Sequence, residues 1–249
     1  RGAGEWWVAS DLGELALGRA LREDHVLGVG GASNTLSAIM IRDRVSTALD
    51  LGTGCGIQAL HASRHADRVV ATDISLRALQ FAEFNTLLNE VSNIEFRDGS
   101  LFDPVSGESF DQIVSNPPFV ITPRVAGVPE YEYRDGGMVG DALLAQVIRE
   151  LPDHLEPGGT AQLLGNWEYR DGADGLDRAA AWARDAGLDY WIVERETQDP
   201  ASYAETWIRD GGTSRTHPDF EPLVAAWLDD FAARDVTAIG FGYLLLRRP

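Results

Sequence analysis

The chain contains no lysine, one cysteine and two methionines among 249 residues. Without lysine there is no G-x-x-x-x-G-K-[ST] phosphate loop, which excludes that class of nucleotide triphosphate site. A single cysteine, Cys55, excludes an intramolecular disulfide and fits a reducing compartment. No segment approaches the roughly 20 apolar residues of a membrane helix, and no secretory signal pattern opens the chain, so a cytoplasmic protein away from membranes is expected. The first residue is Arg1 and not Met, so the sequence is expected to be part of a longer protein. No basic run is present beyond Arg247-Arg248, and 39 acidic residues face 21 arginines for a net charge of -18. That balance repels a phosphate backbone. G-x-S-x-G is absent, so a hydrolase elbow has no support. His61 and His65 lie at i, i+4 but lack a third ligand at metal spacing, so an exposed helix face is expected and no metal.

What is present begins with a strand pattern, Thr47-Ala48-Leu49-Asp50-Leu51, running into Gly52-Thr53-Gly54-Cys55-Gly56 and then an amphipathic helix from Ile57 to His65. A glycine loop between strand and helix lets a ligand approach the backbone without Cβ interference. Cys55 inside that loop reads as a small packing residue. A second strand pattern, Arg68-Val69-Val70-Ala71-Thr72, ends at Asp73, which lies 21 residues after Gly52. At that spacing a carboxylate reaches ribose hydroxyls. The loop lacks the later third glycine of a dinucleotide fingerprint, so a nucleoside without phosphates fits better than a pyrophosphate.

A further apolar run, Gln112-Ile113-Val114-Ser115, leads into Asn116-Pro117-Pro118-Phe119. Proline fixes φ and lacks an N–H, so the tetrapeptide belongs just past a strand's end, with its carbonyls held at set angles. An amide oxygen, a neighbouring main-chain carbonyl and an aromatic face suit a planar –NH2 group. A proline-rich turn with a buried phenylalanine is the alternative at this point.

Strand patterns at 47–51, 68–72, 93–97, 111–115, 160–165, 189–195 and 237–246 alternate with helix patterns at 33–43, 57–65, 75–89, 140–151, 174–186 and 221–233. This alternation predicts an α/β fold with a doubly wound, mainly parallel, seven-stranded Rossmann-like sheet and helices on both faces. Ser75 and Asp174 are expected N-caps and Gly187 a helix stop, while Pro157-Gly158-Gly159 reads as a turn. Trp182, Trp191 and Trp227 fall at apolar-periodic positions and are expected in the core. Residues 1–44 form an irregular cover over the cleft, and 45–249 the main domain.

Asp50-Leu51-Gly52-Thr53-Gly54-Cys55-Gly56, Asp73 and Asn116-Pro117-Pro118-Phe119 together resemble the class I S-adenosylmethionine-dependent methyltransferases, in the order and spacing of the amino-methylating branch. The resemblance covers roughly residues 25 to 249. It implies S-adenosyl-L-methionine as cofactor, with the glycine loop (Asp50, Gly52, Thr53, Gly54, Gly56) against its methionine part and Asp73-Ile74 at the ribose. Asp98-Gly99-Ser100, after the third strand, matches the position that meets the adenine amine, and Asn116 also borders the cofactor. Asn116, Pro117 and Phe119 are then the catalytic set. Asn116 Oδ1 and the Pro117 carbonyl accept the two N–H bonds of the target, and Phe119 stacks on its plane.

The stretch Pro129-Glu130-Tyr131-Glu132-Tyr133-Arg134-Asp135-Gly136-Gly137 is similar to one in the glutamine N5-methyltransferases that modify peptide-chain release factors. It implies a protein glutamine side chain as substrate, with Pro118, Thr35, Tyr133 and Arg134 in substrate contact. Two features depart from that group. Phe119 stands where Tyr is usual, and Leu164-Gly165-Asn166-Trp167 replaces an acidic pattern. Phe at this position is common in adenine- and guanine-modifying relatives, so an RNA or DNA base (adenine N6 or guanine N2) is the alternative substrate. A small-molecule amine and a catalytically silent cofactor-binding module complete the alternatives.

Overall fold

The computed structural model describes residues 6–13 and 21–249. Seven strands form one sheet: β1 (Val45–Leu51), β2 (Ala66–Asp73), β3 (Ile94–Asp98), β4 (Phe110–Ser115), β5 (Leu155–Arg170), β6 (Asp189–Gln198) and β7 (Val236–Arg247). Their order is β3-β2-β1-β4-β5-β7-β6. The first five run parallel, and β7 is inserted antiparallel between β5 and β6. Among the described residues the α-helices are α1 (Gly31–Ile39), α2 (Ile57–Ala62), α3 (Leu76–Leu88), α4 (Ala142–His154), α5 (Gly175–Asp185), α6 (Pro200–Asp210) and α7 (Phe220–Ala232). Among the described residues, no helix is long and apolar enough to cross a membrane.

The central strands are apolar on both faces because both faces are covered. Leu49, Leu51, Val70 and Ile113 point to one side, against Leu144, Val147, Ile148 and Leu151 of α4 and Ala179 and Ala183 of α5. Their neighbours Ala48, Val69, Ala71 and Val114 point to the other, against Ala59 and Ala62 of α2. Alternation along each strand thus divides one sheet between two cores. A third core gathers Tyr203, Ala204 and Ile208 of α6, Leu223, Trp227 and Phe231 of α7, and Val120 and Ile121.

Outside the cleft, the fold departs from the sequence expectation in five places. Pro157-Gly158-Gly159 lies inside β5 as a bulge: the register passes from Phe110↔Leu155 to Gln112↔Thr160, with Gly158 at φ +84°. Helix α6 is absent from the expected helix patterns, although Asp199 caps it by accepting from the Ala201 and Ser202 amides at 3.0 Å, with Pro200 at the first helical position. His61 and His65 are buried instead of exposed. His65 Nε2 meets Gln112 Oε1 at 2.7 Å, and among the described residues no group of three or more ligands could hold a metal. Trp227 is core and Trp182 packs against the core, but Trp191 is 68% exposed on the edge strand β6, on the face opposite the packed Ile192. Asp174 caps α5 through the Asp177 amide and Gly187 follows that helix at φ +69°, but Ser75 sits at the start of α3 without a side-chain cap bond.

Candidate active site

The strand order reverses between β1 and β4, and the cleft opens beyond the C-terminal ends of these strands, where such a switch point leaves room. The amides of Gly52 and Thr53 both donate to the Thr72 carbonyl, at 3.0 and 2.8 Å, folding the loop over the end of β2. Gly52 and Gly54 have φ +75° and +55°, and a Cβ at either would find no protein atom within 4 Å. They keep a concave wall open. Gly56 is glycine for another reason: at φ +86°, its Cβ would lie 3.0 Å from that of Ala82 on α3. Gly52, Thr53 and Gly54 line the cleft, and Gly56 braces it.

Asp50 stands behind the loop, buried. Its Oδ2 accepts from Thr53 Oγ1 (2.6 Å) and from the Ala59 amide (2.8 Å), while Oδ1 has no partner. Burial pushes its pKa up to about 7. Asp73 lines the cleft, with Oδ2 accepting from the Gly54 amide (2.8 Å) and Oδ1 from the Ser75 amide (2.9 Å). Burial raises its pKa, and the two amides partly offset the rise. Ile74, Gly99 and Ser100 complete this side. Asp98 does not reach it: the residue is paired in register with Asp73 and is exposed outside the cleft lining.

Ser115 ends β4 and its Oγ donates to the Leu51 carbonyl at 2.6 Å, tying together the two strand ends that flank the cleft. Asn116, Pro117 and Pro118 follow along its lining. The Asn116 Oδ1 is buried without a hydrogen-bond partner. Phe119 turns away. Its ring sits 5.3 Å from that of Phe241 and 6.4 Å from that of Trp207, in the α6–α7 core and outside the cleft lining.

The opposite wall is the stretch 131–138. The Val120 amide donates to the Arg134 carbonyl at 2.9 Å, which lays this stretch alongside the chain leaving the tetrapeptide. Gly136 packs so closely that a Cβ would lie 3.0 Å from the Pro118 carbonyl oxygen. Tyr133 lines the cleft together with Glu132, Asp135, Gly136, Gly137 and Met138. Arg134 does not. Its guanidinium lies 4.6 Å over the Tyr131 ring and donates to the Trp207 carbonyl (2.8 Å) and Asp210 Oδ2 (3.0 Å), so its donors serve α6. Thr35, half-buried on α1, is also outside the lining, and Ser33 of the same helix takes its place.

Within the expected cover and the 129–137 stretch, the sequence reading assigned no site role to the strap residues His25 to Gly28, or to Ser33, Glu132 or Asp135, all of which line the cleft, as does Gln58. The strap is held by side chains: Asn85 exchanges two hydrogen bonds with Ala9 (2.7 and 2.9 Å), and Arg77 Nη2 donates to Asp11 Oδ1 (2.7 Å). Asp11 Oδ2 in turn accepts from the Val26 amide (2.9 Å). No sequence motif marks such partners 66 to 76 residues apart. Residues 1–5 and 14–20 of the expected cover lie outside the described residues.

The cleft has a volume of about 360 Å³, within the range of a small-molecule site. Asp73, Glu132 and Asp135 line it, and among the described residues no arginine does. Such a wall repels phosphates and favours a neutral or cationic ligand. Cys55 also borders it, but burial pushes its thiol up to about 11, so it stays protonated.

The methyltransferase small domain family matches residues 28–171, more than half of the chain. The chain belongs to that family. It is 36% identical over 128 residues to a release factor glutamine methyltransferase of Xylella fastidiosa, covering 48% of this chain and 46% of the relative. It is 33% identical over 149 residues to a ribosomal protein uL3 glutamine methyltransferase of Bradyrhizobium diazoefficiens, covering 56% and 46%. The matches thus span about half the length of these relatives. In fold, this methyltransferase domain is similar to the crystal structure of the YcgJ protein from Bacillus subtilis, with a TM-score of 0.55 at 16% identity over 87% of this chain and 96% of that one.

Proposed function

We propose that the chain is an S-adenosylmethionine-dependent N-methyltransferase acting on a planar amide nitrogen, that of a protein glutamine side chain. The observation that carries this reading is Asn116. Among the described residues neither of its amide atoms has a protein partner, and Oδ1 is buried without one. Leaving an amide oxygen unsatisfied costs about 1–3 kcal/mol. Because no hydrogen bond fixes the amide, it can turn its oxygen to the cleft and recover that cost by accepting an N–H.

The cleft fits the cofactor. Gly52 and Gly54 leave backbone-lined space where Cβ atoms would stand, and each Asp73 oxygen keeps lone pairs beyond its one amide donor. The carboxylate lining suits a cation. Gly52 to Gly54 would hold its amino-acid portion, Asp73 its ribose and Gly99-Ser100 its base. When bound, S-adenosylmethionine supplies an electrophilic methyl group.

The chain's own work is placement. Asn116 Oδ1 and the Pro117 carbonyl accept the two N–H bonds of the target –NH2, which holds its plane and turns the nitrogen lone pair into the cleft. Gly136 lets the wall pack against the Pro118 carbonyl, bounding the slot on that side. The methylated nitrogen carries one surplus proton, which water at the open mouth removes without a dedicated base.

Both curated relatives are named for glutamine methylation of translation proteins, which supports a protein substrate and a cytoplasmic reaction. A net charge of -18 weighs against a nucleic-acid substrate. Phe119, the residue that favoured a nucleobase, packs with Trp207 and Phe241 and offers no stacking face to the cleft. The deciding experiment is transfer of tritiated methyl from S-adenosylmethionine into purified, unmodified release factor, and into cell lysate treated with protease or nuclease. Label in the release factor, lost with Asn116→Ala and sensitive to protease in lysate, is expected. Lysate label removed by nuclease would overturn the substrate assignment.

A further inference from the structure

Glu168, on β5, is a charged residue with no exposed side-chain surface, and the chemistry above does not use it. Its Oε1 accepts from Arg234 Nε (3.1 Å) and Nη2 (2.8 Å), and its Oε2 from Arg170 Nε (2.9 Å) and Nη2 (2.6 Å). Its amide donates to Asp141 Oδ2 at 3.0 Å. Asp141, 5% exposed, is held in turn by Arg178 Nη2 at 3.0 Å from each oxygen. The cluster therefore joins β5, the start of α4, α5 and the turn between α7 and β7.

A buried ion cluster is weak warrant for stability, since well-packed apolar side chains in its place do as well or better. It does fix the relative orientation of the parts that carry the charges. Here one of those parts is the cleft wall. Asp141 is the N-cap of α4, whose Leu143 and Val147 line the cleft, and Gly136 to Met138 line it just upstream. Between them lies Gly140, at φ +61°, where a Cβ would sit 3.0 and 3.1 Å from the two Glu168 carboxylate oxygens. Glycine is required at this position for the backbone to rest on the carboxylate.

We propose that Glu168 is a positioning residue that sets the substrate-side wall, Tyr131 to Asp141, against the Pro118 carbonyl. Through that wall it fixes the width of the amide slot. The proposal rests on the glutamine reading for its substrate. The cofactor side, from Asp50 to Asp73, hangs on β1 and β2 and shares no bond with the cluster. Glu132 and Asp135 on the wall share the cleft with Asp73, so a displaced wall should affect acceptor binding far more than cofactor binding.

The test uses the full chain with Glu168→Gln, which keeps the side-chain shape and removes the charge. Amide exchange in peptides covering 131–141 should quicken about tenfold while peptides covering 50–60 exchange as before. The Kd for S-adenosylmethionine should stay within about twofold, and the KM for purified release factor should rise about tenfold. If Glu168→Gln fails to fold, Arg178→Gln replaces it; that variant removes the outer contact to Asp141 and the guanidinium over the Trp182 ring but leaves the arginines on Glu168, and smaller shifts in the same directions are expected. Exchange that quickens evenly along the chain, or an unchanged KM and unchanged exchange at 131–141, would overturn the role. Wild-type chain that transfers nothing to release factor defeats the glutamine reading instead, and the exchange comparison then decides the role of Glu168.

Discussion

The Gly54 amide donates to Asp73 Oδ2 at 2.8 Å, so the acid at the end of β2 is fastened to the glycine loop that follows β1. The two cofactor-side elements are thus one unit, and Asp73 serves it twice, as brace and as acceptor. Asp73→Ala removes the partner of both Gly54 and Ser75 together with the charge. It is expected to weaken S-adenosylmethionine binding by about tenfold to a hundredfold, as hydrogen bonds to a charged group imply. Isothermal titration measures this, and a loss under twofold would contradict the placement of the ribose there.

Most of this arrangement was legible in the sequence, because the signals were local. A strand pattern running into Gly52 to Gly56, a second ending at Asp73 and a third ending at Asn116 place three loops at one edge of a parallel sheet. What was not legible depends on contacts distant in the chain. The resemblance to glutamine methyltransferases implies a substrate role for Arg134, yet the Trp207 carbonyl and Asp210 claim its guanidinium. The strap from His25 to Gly28 is held at the cleft by distant partners, among them Asn85 and Arg77 on α3, which hold Ala9 and Asp11. Helix α6 has a readable start in Asp199-Pro200, a capping acid followed by proline at the first helical position, which apolar periodicity alone does not mark.

The strap should answer to its anchor. Asp11 has its pKa lowered to about 2, chiefly by the hydrogen bond from Arg77. A depressed folded pKa means that this contribution is present above the ordinary value of 3.8 and is lost as pH falls through about 2. At neutral pH, Arg77→Met removes it outright. Cofactor Kd is expected to rise about threefold to tenfold, with faster amide exchange at 21–28. Unchanged affinity together with faster exchange would show that the strap covers the cleft without gripping the ligand.

Asp50 predicts a pH dependence of the opposite sign. Its folded pKa of about 7 lies above the ordinary 3.8, so its contribution to stability is complete below about pH 3.8 and is lost as pH rises through about 7. Within that window the loss is at most about 1.4 kcal/mol per pH unit. Asp50→Asn keeps an acceptor for Thr53 and Ala59 and cannot ionise. The difference in urea midpoint between variant and wild type should therefore shift toward the variant between pH 5 and pH 7 and level off above. Parallel profiles would mean that Asp50 stays charged throughout.

Phe119 separates two roles that the tetrapeptide alone leaves merged. Stacking on the target amide would make it a catalytic residue, but its ring packs with Phe241 at 5.3 Å and Trp207 at 6.4 Å, and it does not line the cleft. Its duty in this geometry is to pin the end of the tetrapeptide to the α6–α7 core, so that Asn116 and the Pro117 carbonyl keep their angles. Phe119→Leu retains apolar bulk and loses the ring contacts. It should cost about 1–2 kcal/mol in urea unfolding. Below the unfolding transition, kcat should stay within about threefold of wild type, since no group facing the substrate is removed. A hundredfold loss of kcat at unchanged stability would instead require the ring to swing into the cleft when substrate binds, and would restore Phe119 to the catalytic set.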